Sequence, residues 1–346
     1  MKGATALVLS TAPGRARGIG IAAAIATILL WTAFIVIARA MALRSLTPFD
    51  ILACRIAGAA LVLLPWGVWI VRRRRAAGGE APSWLGVSPL SARTTLVCGL
   101  LGGVGYGVFA YAGFVFAPAA HGSVLLPGML PLWTALLAVA LLGERLRPAR
   151  LGALALIVVG AAVVGGASLL AAFDGGDVWK GDLCFLAGSA CWSAYTVLMR
   201  RERLDPVEAT VAITVCAAFV WLPLWAVLVA SGVVESRLAH APWGEIAFQA
   251  AWQGIASVVV SGITFATMVR SFGPVRSTML TALVPGLSAL SAVALLGEPL
   301  DWHLVAGLLL VSAGIVLGVR AAAAGDRSPL AASVVESDAP RRRPPD

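Results

Sequence analysis

The stretch ALLAVALLGERL at residues 135–146 returns as ALSAVALLGEPL at residues 289–300, with ten of twelve positions identical at an offset of 154. The match runs upstream through Ser123 and Ser277, Leu126 and Leu280, and Pro131 and Pro285, and downstream to Gly160 and Gly314. A weaker match joins the beginnings of the two halves. WTAFIVIAR (31–39) parallels WSAYTVLMR (192–200), and Pro48 and Pro65 parallel Pro206 and Pro223 at the same spacing. The chain is therefore one unit written twice.

What surrounds the repeat is apolar. Of 346 residues, 60% are hydrophobic and 12% charged, against roughly 25% charged in a soluble domain. Such a chain cannot cover itself with polar surface, so lipid is its expected solvent. The net charge of +9 does not point to nucleic acid, because the basic residues fall between long apolar runs and form no stripe. Cys54, Cys98, Cys184, Cys191 and Cys216 all lie inside apolar stretches without a CxxC pair. They read as small packing residues, with no disulfide framework and no metal.

A spanning helix needs about 20 mostly apolar residues, since each adds about 1.5 Å across a core of about 30 Å. Ten spans are expected near 19–41, 50–71, 95–116, 118–142, 149–171, 179–199, 207–231, 246–269, 274–297 and 301–320, separated by polar or turn-rich breaks such as RSLTP, GERLRP, FDGGD, RRERLDP, GPVR and GEPLD. The first is too long for a signal peptide's apolar region, and it has a partner in mid-chain. The chain then divides into a tail at 1–18, a first repeat at 19–171, a second at 172–321, and a polar tail at 322–346.

Lys and Arg set the orientation. With the N-terminus inside, the inner segments hold most of them, including Arg72 to Arg75, Arg145, Arg147, Arg150, Arg200, Arg201 and Arg203. The outer segments hold only Arg39, Arg44, Lys180 and Arg237. Both termini are expected in the cytoplasm of a cell inner membrane. Five spans per half is an odd number, so one LLGE lies at the inner face and the other at the outer. The expected fold is an all-α membrane protein of ten transmembrane helices as two inverted five-helix repeats, the architecture of many alternating-access carriers.

The tryptophan and trailing arginine of spans 1 and 6, the mid-span proline of spans 4 and 9, the two LLGE endings and the Gly-rich spans that follow (151–165 and 305–319) resemble the EamA-type transporters of the drug/metabolite transporter superfamily over about 19–320. The resemblance implies a central cavity lined by spans 1–4 and 6–9, with spans 5 and 10 packed outside. It also implies carriage of amino acids, other metabolites or drugs, mostly outward.

Candidate substrate-binding residues follow from what is unusual in lipid. No span interior is expected to hold Asp, Glu or Lys: Asp50 and Glu208 are placed at span starts, Glu144 and Glu298 at span ends. Coupling to a proton or other ion through Glu144, Glu298 or His121 stays open. Arg55 is the one charge within a span. At mid-bilayer an Arg costs roughly 2.5–3.5 kcal/mol, so it either holds a substrate carboxylate or is tied to a backbone carbonyl or Asp50. Trp31 and Trp192 sit mid-span at equivalent positions, and Tyr195 shares a face with Trp192. Tyr106 and Tyr111 carry hydroxyls that need partners away from lipid. Ser261 and Thr281 belong to polar stripes that suit either a cavity or interhelical bonding. Pro127, Pro131 and Pro285 free backbone carbonyls in mid-membrane, as hinges or static kinks. VGYG (104–107) lacks the setting of an ion filter, and Gly103 and Gly107 read as a close-packing face. No HExxH, Walker or GxSxG motif occurs, so the chain is read as no enzyme and as needing no cofactor. The leading reading is a secondary transporter and exporter of a small organic metabolite (an amino acid or related zwitterion, or an amphipathic compound). An importer of the same fold, or a membrane channel or sensor, is the alternative. Its partners are substrate and lipid bilayer, with a homodimer left open.

Overall fold

The computed structural model describes residues 13–42, 44–78, 82–144, 146 and 148–325. The tail expectations for 1–12 and 326–346 lie outside the described residues. Among those described, all regular structure is helical. We number the helices α1 (Pro13–Ala42), α2 (Pro48–Ala76), α3 (Ala92–Phe116), α4 (Ala119–Leu142), α5 (Pro148–Ala172), α6 (Val178–Arg201), α7 (Pro206–Ala230), α8 (243–281), α9 (Leu283–Leu296) and α10 (Trp302–Gly325). Nine of them are long and apolar enough to cross a membrane, and α9 is a shorter apolar helix.

The sequence explains where the helices stop. Thr47 and Asp50 close a reciprocal capping box at the start of α2, satisfying N–H groups the first turn leaves free. Each LLGE is a helix terminator. Gly143 and Gly297 adopt left-handed φ values of 68° and 67°, open to glycine at little cost. The next residue then bonds back, from the Glu144 N–H to the Ala138 carbonyl (3.3 Å) and from the Glu298 N–H to the Ala292 carbonyl (3.5 Å). This closing turn sets a glutamate just beyond each helix end.

Three sequence expectations fail. The first helix begins at Pro13 rather than 19, so 13–18 are helix and not tail; likewise 322–325 extend α10. The break expected at GPVR (273–276) is absent, because the helix carries on to Thr281. Pro274 removes one N–H but fixes φ close to the helical value, and the chain stops instead at Ala282, three residues before Pro285. The third failure is Asp182, which lies inside α6 and is 4% exposed, where no buried acid was expected.

Packing repeats with the sequence. α1 lies against the second part of α8 and against α9; its counterpart α6 lies against α3 and α4. α2 packs on α8 as α7 packs on α3. α5 and α10 pack on each other at Gly160, Gly307 and Gly314: a Cβ on Gly160 would stand 2.8 Å from the Gly307 carbonyl oxygen. Their outward leucines and valines, including Leu170 and Leu309, are exposed, as lipid contact requires.

Candidate functional site

Close approach of α2 and α8 builds the centre of the site. A Cβ on Gly58 would fall 2.0 Å from the Ala250 carbonyl oxygen, and one on Gly254 2.6 Å from the Arg55 carbonyl oxygen. Only glycine lets these backbones meet. α8 is also π-helical from Ala250 to Val260, as α3 is from Gly99 to Gly105. Such wider turns shift the register of side chains and recur at functional sites.

The crossing sets Arg55 against Gln253. Arg55 Nη1 donates to the Gln253 carbonyl at 3.1 Å, and its guanidinium lies 5.4 Å from the centroid of the Phe34 ring, within cation–π range. Tyr111 from α3 donates to Gln253 Oε1 at 2.9 Å and meets Phe34 edge-on. Of the two structural ties open to Arg55, the carbonyl is the one made. Asp50 is occupied elsewhere, accepting from Ser236 Oγ (2.6 Å) and the N–H groups of Arg237 (2.9 Å) and Thr47 (3.1 Å). Among the described residues Arg55 forms no ion pair.

Gln253 and Gln249 were missed in the sequence. Both are fully buried, and Gln253 Nε2 and both polar atoms of the Gln249 side chain lack a hydrogen-bond partner. A buried amide left unpaired costs about 1–3 kcal/mol, so these groups face a ligand, water or a change of state. The signal was present as two amides four residues apart, hence on one helix face, in an otherwise apolar run. It passed unread because glutamine carries no charge.

The paired tryptophans are each met by a ring from the other half. Trp31 of α1 stacks on Phe265 of α8 at 5.3 Å and 25°. Trp192 of α6 meets Tyr106 of α3 at 4.9 Å and, in the next turn, Tyr195 at 5.4 Å. Both are half-buried. Tyr195 itself is buried against Cys98 and Ala209. The structure thus gathers Arg55, Tyr111 and Phe34 around Gln253, and separately Tyr106, Trp192 and Tyr195.

Ser261 joins neither group. It is buried and donates to the Ser257 carbonyl of its own helix at 2.7 Å, while one turn on Thr264 accepts from Thr27 of α1 at 2.9 Å. Thr281 is the last residue before the α8–α9 break. α4 breaks over 126–129, between Ala119–Leu125 and Leu130–Leu142. Pro127 lies within that break, and Pro131 and Pro285 stand in the first turns of the segments that resume after the two breaks, where a missing N–H is harmless. Gly103 and Gly107 face different helices, meeting Ile213 of α7 and Leu52 of α2.

No curated protein matches this sequence. A solved crystal structure aligns over 88% of this chain and 98% of its own, with a TM-score of 0.52 and 23% identity, and so shares the fold. The family model described as EamA-like transporter family matches twice, over residues 18–166 and 179–320, the two halves that the LLGE repeat defines. The chain belongs to the EamA-like transporter family, and is a multi-pass membrane transporter of the drug/metabolite transporter superfamily.

Proposed function

We propose that this chain is a secondary carrier that exports a small carboxylate-bearing metabolite, an amino acid or related zwitterion, by alternating access. The observation that carries the reading is Arg55. It is a guanidinium within a span, held by one carbonyl, one ring and the Tyr111 hydroxyl, with no carboxylate among the described residues, beside the unpaired Nε2 of Gln253. An uncompensated charge in lipid is costly. A substrate carboxylate supplies the missing counter-charge, accepts from the free guanidinium N–H groups, and takes the Gln253 amide as a further donor. Trp31, Trp192, Tyr106, Tyr111 and Tyr195 offer rings for the rest of the substrate, with Ser261 and Thr281 polar groups further along α8.

In this reading the chain makes ten spans, with α9 as the ninth, as two inverted halves at 19–171 and 172–321. The arginine bias sets both termini in the cytoplasm of the inner membrane. The end of the molecule where α4 begins and α9 stops is then the outer mouth.

Counterflow in proteoliposomes tests the carrier. Candidate amino acids preloaded on one side accelerate entry of the labelled compound from the other; flux linear in concentration without this acceleration rejects it. Arg55→Ala tests the site. Hydrogen bonds to charged groups contribute about 1.5–3 kcal/mol, so the half-saturation concentration for a carboxylate substrate rises roughly 10–100-fold, while its neutral amide is carried as before. Equal loss for both assigns Arg55 to structure. Trp31→Ala and Trp192→Ala each lower flux at unchanged membrane abundance; unchanged flux in both returns them to packing.

A further inference from the structure

Asp182 is the buried acid that the sequence did not lead us to expect, and both of its oxygens are engaged. Ser168 of α5 donates to Oδ2, and His121 Nδ1 of α4 lies 2.9 Å from Oδ1. The Asp182 side chain is 6% exposed and that of His121 18%. A buried carboxylate is costly unless paired, and among the described residues its ion-pair partner is a histidine, charged only when protonated. A tie indifferent to pH would use an arginine, as Glu298 does with Arg39 (3.3 Å) at the same end of the molecule.

Two further observations point the same way. His121 lines a cavity of about 50 Å³ together with Val164, Asp301 and His303. That is room for water, with the exposed Asp301 on its rim. The cluster also has no symmetry-related counterpart in the sequence. Across the repeat, the register position of Asp182 is held by Ile21 in the first half, 161 residues earlier, and that of His121 by Val275 in the second, 154 later, so neither group recurs. A packing need common to both halves does not account for it.

The groups around His121 come from every neighbouring helix. Asp182 and Ser168 hold it directly. Glu298 accepts from the N–H groups of Ala119 (2.9 Å) and Ala120 (3.2 Å) in the same turn of α4, and Arg39 from α1 pairs with Glu298. Asp301, just before α10, and His303 in its first turn line the same cavity as His121. Lys180 on α6 is paired with Asp177 at 2.6 Å and faces the Phe116 ring at the end of α3.

Resting on the carrier reading, we propose that His121, Asp182 and Ser168 form a proton-binding site that sets the opening of the mouth at which α4 begins. A proton taken from the aqueous side adds to the imidazole and makes an imidazolium–carboxylate pair, which holds the α4 half-helix Ala119–Leu125 on α6. Loss of that proton leaves the buried Asp182 charge uncompensated and weakens the hold. The mouth is therefore held shut at low pH and released at high pH.

Hydrogen exchange over residues 117–126 of the full chain in lipid nanodiscs tests this with protons alone, each rate being corrected for the intrinsic pH dependence of amide exchange. Protection falls at least tenfold between pH 5.5 and 8 in the unaltered protein. In His121→Gln, whose amide still reaches Asp182, protection no longer depends on pH. Asp182→Asn, a second route should that variant not fold, behaves alike. His303→Gln keeps the response. A pH response that survives in His121→Gln or Asp182→Asn, disappears in His303→Gln, or is absent from the unaltered protein overturns the proposal. Counterflow on the same preparation separates the two readings. A mouth indifferent to pH with counterflow intact removes the proton site alone, whereas absent counterflow removes the carrier.

Discussion

Glu298 and Glu144 end the same motif, yet the two ends of the molecule use them differently. The Glu298 side chain is 9% exposed and that of its partner Arg39 18%. Glu298 also caps the first N–H groups of α4, and Arg39 Nη1 donates to the Phe114 carbonyl of α3 at 2.6 Å. One carboxylate thereby ties together the ends of α1, α3, α4 and α9. Among the described residues Glu144 pairs with Arg200, and these side chains are 38% and 51% exposed. The helix start that Glu144 would cap by symmetry does not exist, because α8 runs unbroken to Thr281. The motif supplies a glutamate at a helix end; whether it becomes a buried latch depends on a helix beginning opposite it. In the carrier reading this difference is the state itself, with one mouth latched and the other unlatched, and the halves exchange arrangements during transport.

Opening the latched end has the largest expected effect. Glu298→Gln leaves Arg39 without a counter-charge and removes the anion from the start of α4. Breaking a buried pair costs about 3–5 kcal/mol. The partial exposure of these side chains reduces that to about 2 kcal/mol, a roughly thirtyfold shift toward an open mouth. A cysteine at Ala117, buried in the α3–α4 turn, then reacts with an impermeant maleimide about thirty times faster than in the parent. An unchanged rate means that Glu298 does not hold this end.

The two breaks sharpen the comparison at intermediate scale. α4 is interrupted over 126–129, α8–α9 at Ala282 alone. The first half has Pro127, where the register of the second has Thr281. Pro127 cannot donate, so the helix loses a backbone bond just past Leu126, whose own N–H still reaches the Gly122 carbonyl at 3.0 Å. The loop also curls tightly, for a Cβ on Gly128 would fall 2.1 Å from the Val124 carbonyl oxygen. Pro127→Ala restores an N–H and lets α4 heal, favouring the straight form by about 1 kcal/mol. A hinge so stiffened slows counterflow about fivefold at unchanged abundance; equal counterflow makes the break a static kink.

What could be read from the sequence divides along physical lines. The repeat, the apolar runs and the two LLGE endings were legible because they rest on composition and on glycine's access to left-handed φ, which are local properties. The site was legible only where a residue was anomalous in lipid by itself, as Arg55 was. Gln253 enters the candidate site only by facing Arg55 across a crossing that Gly58 and Gly254 permit. Asp182 was overlooked because it stands little more than a turn from the start of α6, where an acid reads as interfacial. Its burial comes from α4 and α5 folding over it. The α8–α9 junction was misread because GPVR has the composition of a turn, while the backbone around Pro274 remains compatible with a helix.

The smallest expected effect is at the unlatched end, and it tests whether the asymmetry belongs to the state or to the residues. Arg200 and Glu144 form an exposed pair, contributing about 0–1 kcal/mol and screened by salt. Glu144→Gln should therefore alter maleimide access at Ala117→Cys by less than about threefold. The double variant is more telling. If the halves exchange arrangements, the protein with its Glu298 latch removed spends more time closed at the other end, where Glu144 takes over the role of a buried cap. Glu144→Gln then costs more in the Glu298→Gln background than alone, with a coupling of about 0.5–3 kcal/mol between residues at opposite ends of the molecule. Strict additivity would mean that the two glutamates never trade places, and the difference between the ends would be a fixed property of the fold.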